Sequence, residues 1–262
     1  MASSKDRERE LARRRLERRA LREAQQRAAR RRAMLAIAGT VAAVLLAVGA
    51  IAIFTGGGED KVSTTTQPTG TASGSTGGCV YNKTPDQPAS KNSKGLPQAN
   101  PAHTDRTATI ETNRGTVKVS LLGSKAPCAV NSFIHLAQAS FYDGTSCHRI
   151  TDSGVVQCGD PTGTGSGGPG YQFLEENLPT AATGAPYPTG TLAMAKSSAP
   201  GSSGSQFFIV TKDNTFDGPN YTIFGKVLSG LDVLEKVVAG GSVPAGDGKP
   251  QLSLVLKKIT IS

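Results

Sequence analysis

The 262-residue chain has no C-x-x-C pair, no G-x-S-x-G elbow and no internal repeat, and each absence closes off a class of protein. The three histidines, His103, His135 and His148, are scattered, so neither they nor the cysteines offer the spacing of a zinc site. A serine hydrolase needs its nucleophile on a sharp strand-to-helix turn, near a histidine with an acidic partner, and neither is evident. Lack of repeats removes solenoids and propellers. Net charge is also lacking over most of the chain. Residues 1–33 hold 13 Lys and Arg against 5 Asp and Glu, a net of +8, which leaves about +1 of the formal +9 for everything else. The high pI therefore belongs to the tail and describes no basic face on the body. No aromatic residue interleaves the tail's arginines, so base stacking has no support and no nucleic-acid partner is expected.

What is present begins with the basic tail, helix-favouring but too poor in apolar positions for a sustained heptad. MLAIAGTVAAVLLAVGAIAIF follows at residues 34–54, with 21 residues and no charge. At 1.5 Å per residue it covers the roughly 30 Å hydrocarbon core of a bilayer. It is longer than the apolar region of about 7–15 residues in a secretory signal. An uncleaved single-pass anchor is expected, with cleavage near Ala47–Ala50 as the alternative. The arginine-rich flank predicts a cytoplasmic N-terminus and an extracytoplasmic remainder. Residues 55–105, rich in Gly, Ser, Thr and Pro, read as a flexible linker, and the folded domain as 106–262.

All four cysteines, Cys79, Cys128, Cys147 and Cys158, lie beyond the span. An even count in an oxidising compartment suits a disulfide framework with three possible connectivities. Cys147 with Cys158, leaving Cys79 for Cys128, is one of them. Against it, strand alternation puts Cys147 and Cys158 on opposite faces unless the strand is interrupted.

Within 106–262, alternation in RTATIET and TVKVSLL around Asn113, Arg114 and Gly115 predicts a β-hairpin. Pro127 opens a helix in which Val130, Phe133, Ile134 and Ala137 share a face. Strands are expected near 146–151, 154–158, 190–195, 205–211 and 221–227. LDVLEKVVAG gives a second helix ended by Gly240 and Gly241, and LSLVLKKITIS a last strand. Without a βαβ rhythm, this pattern predicts a mostly antiparallel closed sheet with helices covering its ends.

The segment Phe141–Phe173 stands out, with Arg149 in one β-type run, Gln157 ending the next, and a glycine-dense loop after it. Its GTGSGG formally matches G-x-G-x-x-G, but Pro169 and Gly170 stand where a dinucleotide loop needs a helix to begin. His148 reads as a structural strand residue. The polar and aromatic residues left on strands are Arg149, Gln157, Gln206, Phe208 and Tyr221, with an ion pair inside the sheet as the plain alternative for Arg149.

FYDGTSCHRI, VVQCGDPTGTGSGGPGY, GTLAMA with GSQFFIV, and NYTIFGKV occur in that order, and together they resemble the cyclophilin-type peptidyl-prolyl cis-trans isomerases over roughly residues 106–262. The resemblance implies an eight-stranded antiparallel β-barrel capped by two helices, acting on proline-containing polypeptides. A prolyl amide rotates over a barrier of about 18–20 kcal/mol, and no covalent bond breaks, so no cofactor or metal is expected. The resemblance makes Arg149 the catalytic arginine. Its fork donates toward the prolyl nitrogen as that atom pyramidalises and toward the substrate carbonyl, favouring the twisted amide. It also makes Gln157 and Gln206 partners of substrate backbone or of Arg149, Phe208 the floor of the proline pocket, and Ala195 and Tyr221 its neighbours.

Departures from the family pattern sharpen the expectations. Gly154 and Val155 fall where a phenylalanine and a methionine usually stand, which predicts a smaller pocket wall. Lys196 replaces a common asparagine, and AKSSAPGSSGSQ is about one residue longer than usual. No tryptophan exists in the chain, so Phe216 is the nearest substitute for the one that contacts cyclosporin in many members, and weak binding of that drug is expected. The rival function is a cyclophilin-like module or chaperone that holds proline segments with little catalysis. A third places the activity in the basic tail, with the outer domain as a sensor.

Overall fold

A computed structural model describes residues 78–180, 186–216 and 221–262. The expected tail, the span and the first part of the linker lie outside the described residues. Among those described, no helix is long and apolar enough to cross a membrane.

The predicted hairpin is present. Strands β2 (Arg106–Thr112) and β3 (Gly115–Leu121) pair from Arg106 opposite Leu121 to Thr112 opposite Gly115. Their alternation sends Ala108, Ile110, Val117, Val119 and Leu121 into the core. Helix α1 (Pro127–Gln138) follows, burying Val130, Phe133, Leu136 and Ala137. Phe133 lies 5.3–5.4 Å, ring to ring, from Tyr142, Phe207 and Phe224, so an aromatic cluster fixes the helix to the sheet.

The run expected as one strand at 146–151 is two: β4 (Thr145–Ser146) and β5 (Arg149–Thr151), broken at Cys147 and His148. Further along come β6 (Val155–Cys158), β7 (Tyr171–Gln172), β8 (Thr191–Met194), β9 (Phe207–Val210) and β10 (Ile223–Ser229). Helix α2 (Leu231–Ala239) buries Leu234 and Val237. Strands β11 (Ser242–Val243), β12 (Asp247–Pro250) and β13 (Val255–Ile261) complete the chain.

In place of the expected closed eight-stranded barrel, eleven strands form one curled antiparallel sheet in the order β11-β12-β5-β6-β9-β8-β10-β3-β2-β13-β4. All eight predicted strand runs belong to it. The additions are β4, split off where Cys147 leaves the strand, and β11 and β12, whose sequence SVPAGDGKP has no alternating apolar pattern. Because β4 pairs β13 at one end and leads within two residues into β5 toward the other, the chain itself draws the edges together.

Both disulfides of the alternative weighed above form, Cys79–Cys128 and Cys147–Cys158. The opposite-face objection lapses because Cys147 lies between β4 and β5, outside strand alternation.

From Gly78 onward the expected linker is pinned to the body at separate points while most of its residues stay exposed. Tyr81 is buried and accepts a hydrogen bond from Asn131 at 2.8 Å, while β1 (Asn82–Lys83) pairs β7. His135 on α1 meets the Ser93 carbonyl at 2.8 Å. Composition concealed this because the anchors are single residues rather than a periodic face.

Helix α1 has no side-chain cap of its own. Glu176 supplies one, its Oε1 accepting the Ala129 N–H at 2.7 Å. Burial pushes this carboxyl up from 4.5 to about 7, against the lowering effect of the Ala129 and Cys128 N–H groups. Between those two values the unfolded chain ionises at Glu176 while the folded chain keeps the proton. The contribution to stability is therefore full below about 4.5 and lost as pH rises through about 7. Thermal unfolding followed from pH 4.5 to 7 should show Tm falling more steeply in the native chain than in Glu176→Gln.

Candidate functional site

Strand register builds the site. Arg149 stands opposite Gln157, Gln157 opposite Phe208, Phe208 opposite Ala193 and Ala193 opposite Ile223, a row across five strands. Paired residues share a sheet face, and so do residues two apart. Thr151, Val155, Ala195, Gln206, Val210 and Tyr221 thus join that face. The alternate residues Ile150, Val156, Leu192, Met194, Phe207 and Ile209 enter the main core. This double burial is why FFIV is apolar without interruption.

On the outer face, Phe208 packs with Val155, Tyr187, Ala193 and Val210. Its ring lies 5.4 Å from Phe216 and 5.3 Å from Tyr221, both edge-on. A cavity of about 510 Å³ opens above, lined by Arg149, Val155, Gln157, Ala195, Phe208, Phe216, Tyr221 and Asp247 among others. All eight site residues expected from the sequence are brought together: seven line this cavity, and Gln206 stands behind Gln157.

A polar chain runs along one side. Arg149 donates from Nε and Nη2 to the two carboxylate oxygens of Asp247, at 2.6 and 2.7 Å. Its Nη1 donates to Gln157 Oε1 at 3.1 Å. Gln157 Nε2 donates to Gln206 Oε1 at 2.9 Å, and Gln206 Nε2 to the carbonyls of Gly165 and Gly167, each at 2.9 Å. The glycine loop is held in turn by buried Asp160, whose carboxylate accepts from the Thr162, Thr164 and Gly165 N–H groups. Burial alone would raise that carboxyl, but the hydrogen bonds from Thr162, Gly167 and Gly165 together lower it. One continuous network therefore runs from Asp247 through Arg149 to the loop.

Asp247 was not foreseen. Its strand carries only a polar D-G turn signal, and register alone places it beside Arg149, opposite Thr151. The pair is mutual: hydrogen bonding from Arg149 holds the Asp247 carboxyl below its ordinary value, and Asp247 raises the Arg149 guanidinium. The plain ion-pair reading of Arg149 is thus realised, yet the pair occupies only part of the fork. Of the five N–H groups of an arginine, three are engaged, leaving one each on Nη1 and Nη2. Asp247→Ala should cost on the order of tenfold in turnover, less than the roughly hundredfold a 1 Å misplacement can cause. Asp247→Asn, which keeps one acceptor, should recover part of it; a peptide assay on the three proteins checks this.

Tyr187 was missed too, since it lies in a proline-rich stretch with no alternating pattern. It is buried, 4.9 Å ring to ring from Phe216, and its hydroxyl accepts the Tyr221 N–H at 2.9 Å. This contact orients Tyr221.

The departures from the family pattern resolve unequally. Val155 does form part of the wall. Gly154 does not: it has φ +87, and a Cβ there would meet the Lys212 nitrogen and Thr211 Oγ1 at 2.9 Å. That glycine is a tight turn required by the neighbouring strand end. Lys196 pairs with Glu175 at 3.3 Å, with both side chains about nine-tenths buried, and its Nζ also donates to the Ser197 carbonyl at 3.3 Å.

Against known proteins, residues 107–261 match the family model described as cyclophilin type peptidyl-prolyl cis-trans isomerase/CLD. The chain belongs to the cyclophilin-type isomerase family. The probable peptidyl-prolyl cis-trans isomerase B of Mycobacterium tuberculosis is 40% identical over 199 residues, covering 70% of this chain and 63% of that protein. This cyclophilin thus spans less than two thirds of that relative's length. Peptidyl-prolyl cis-trans isomerase A of the same organism is 40% identical over 173 residues, covering 60% of this chain and 92% of that one. A cyclophilin-type isomerase of Cryptosporidium parvum, solved in the presence of the dipeptide Ala-Pro, is similar with TM-score 0.53 and 32% identity over 60% of this cyclophilin and 98% of that chain. The segment 78–105 lies outside the family match.

Proposed function

We propose that the protein is a membrane-tethered peptidyl-prolyl cis-trans isomerase acting on exported or envelope polypeptides. The observation that carries the isomerase reading is the Arg149 guanidinium, fixed by Asp247 and Gln157 at the rim of an aromatic-floored cavity. A proline ring lies on Phe208 between Val155, Phe216 and Tyr221. The remaining Nη hydrogens of Arg149 donate to the prolyl nitrogen, whose lone pair becomes available only as amide resonance is lost. That interaction is stronger in the twisted state than in the planar one, which is the condition for lowering the barrier. Gln157 and Gln206 keep the fork in place and present polar groups to substrate backbone. The Ala-Pro dipeptide present with the similar Cryptosporidium structure supports the ligand class.

The tethered, outward-facing placement is supported by the 21 uncharged residues at 34–54, their arginine-rich flank and two disulfides in the body beyond them. Protease added to intact cells should remove the domain and spare the tail.

Adding the full-length protein should accelerate the slow refolding phase of a protein limited by proline isomerisation, otherwise tens to hundreds of seconds, in proportion to catalyst concentration. No acceleration at equimolar protein would contradict the reading. The smaller Val155 wall favours, as second reading, a module that binds proline segments without turning them over.

A further inference from the structure

The segment after Cys79 crosses the molecule beside the glycine loop and is held there at several points. The Cys79–Cys128 disulfide fixes its start. Asn82 and Lys83 pair with β7, the Thr84 N–H donates to the Gly170 carbonyl at 3.0 Å, and the Ser90 N–H to the Gly168 carbonyl at 2.9 Å. Gly170 in the loop is what admits it. A Cβ on Gly170 would come within 2.8 Å of the Ala89 nitrogen, whereas one on Gly167 would strike the loop's own Asp160 before Ser90 Oγ.

Between this strap and the sheet lies a second cavity, of about 480 Å³. Gln157, Ala195 and Lys196 line both it and the proline cavity, so the two adjoin. Thr84, Gln87 and Pro88 form its far wall, facing Gln172, Ser202 and Gln206. The Thr84 hydroxyl is used within the strap, donating to the Gln87 carbonyl at 2.8 Å. The Gln87 side-chain amide makes no hydrogen bond among the described residues and is exposed on that wall.

We propose that the strap is part of the substrate site, and that Gln87 contacts a residue flanking the proline of a bound polypeptide, selecting polar, hydrogen-bonding side chains there. A chain crossing the proline pocket past Ala195 and Gln157 enters the adjoining cavity, whose lining is mainly amide, hydroxyl and backbone polar groups. Specificity for a flanking residue thus comes from a segment outside residues 107–261, the stretch that the family model matches. This rests on the isomerase reading for its substrate class.

The test uses the full-length protein and a series of proline peptides with Ala, Ser, Gln, Lys or Glu at each position flanking Ala-Pro. In the native protein, Ser or Gln at one flanking position should lower KM relative to Ala, and Gln87→Ala should shrink that preference about fivefold, the worth of one net hydrogen bond. Gln87→Glu should shift preference toward Lys by a similar factor, a gain that misfolding cannot imitate. Equal preferences in all three proteins would overturn the proposal. If the native protein does not catalyse at all, the isomerase reading fails instead, and the same peptides are compared by binding titration. There, a weaker polar preference in Gln87→Ala supports the strap's role, and identical affinities overturn it.

Discussion

Arg149→Ala is expected to lower kcat/KM for a proline peptide by roughly 100-fold or more, the usual consequence of deleting a donor aimed at developing transition-state charge. The fold should survive. The Arg149 side chain is 44% exposed and its Asp247 partner 56%, and an exposed pair of this kind contributes about 0–1 kcal/mol to stability. Arg149→Lys separates charge from geometry. A lysine keeps the positive charge but has no planar fork with which to serve Asp247, Gln157 and substrate together. It should therefore recover only a small part of the loss. A lysine variant near native activity would mean that charge alone suffices and that the network from Asp247 to Gln206 is not what positions the group.

Phe208→Ala should have the second largest effect, on stability and activity together. Phe208 is only 4% exposed and has Tyr187, Phe216 and Tyr221 around it at 5.3–6.4 Å. Truncating a buried phenylalanine costs about 3–5 kcal/mol; here the ring also borders an open cavity, which places the cost near the lower end. For a domain of this size that corresponds to a Tm loss of about 6–12 °C. Activity should fall further than stability explains, because the proline ring loses the surface it stacks on, worth about 1–3 kcal/mol, or roughly 10–200-fold. Phe208→Leu distinguishes the two effects. It refills much of the volume, so most of the Tm should return while KM stays raised. Joint recovery of both would assign Phe208 a packing role alone.

Much of this site was legible in the sequence, for a physical reason. Arg149, Gln157, Gln206 and Phe208 sit on strands, where a period of two fixes the face, and strand pairing then gathers them into one row. What escaped was whatever depends on a partner distant in sequence. Asp247 reaches Arg149 only because β12 adds to the edge of β5, and Tyr187 reaches Tyr221 through a loop with no periodicity. The strap shows the same limit from the other side. A composition rich in Pro and Asn lacks the apolar face that drives packing, yet one disulfide, one buried tyrosine and a few backbone hydrogen bonds suffice to hold it. Gly154 is the converse case, where counting residues suggested a missing pocket wall and the backbone instead required a glycine.

On the proposed function, the Arg149 network catalyses rotation rather than merely holding a proline segment. Exchange spectroscopy on a peptide with resolved cis and trans resonances tests it most directly, using the full-length protein at a few per cent of the peptide concentration. Exchange cross-peaks should appear within a mixing time of about a second, far faster than the uncatalysed tens to hundreds of seconds, and should be lost in Arg149→Ala. Shifted or broadened peptide resonances with no cis–trans exchange would contradict it and leave a binding module in its place.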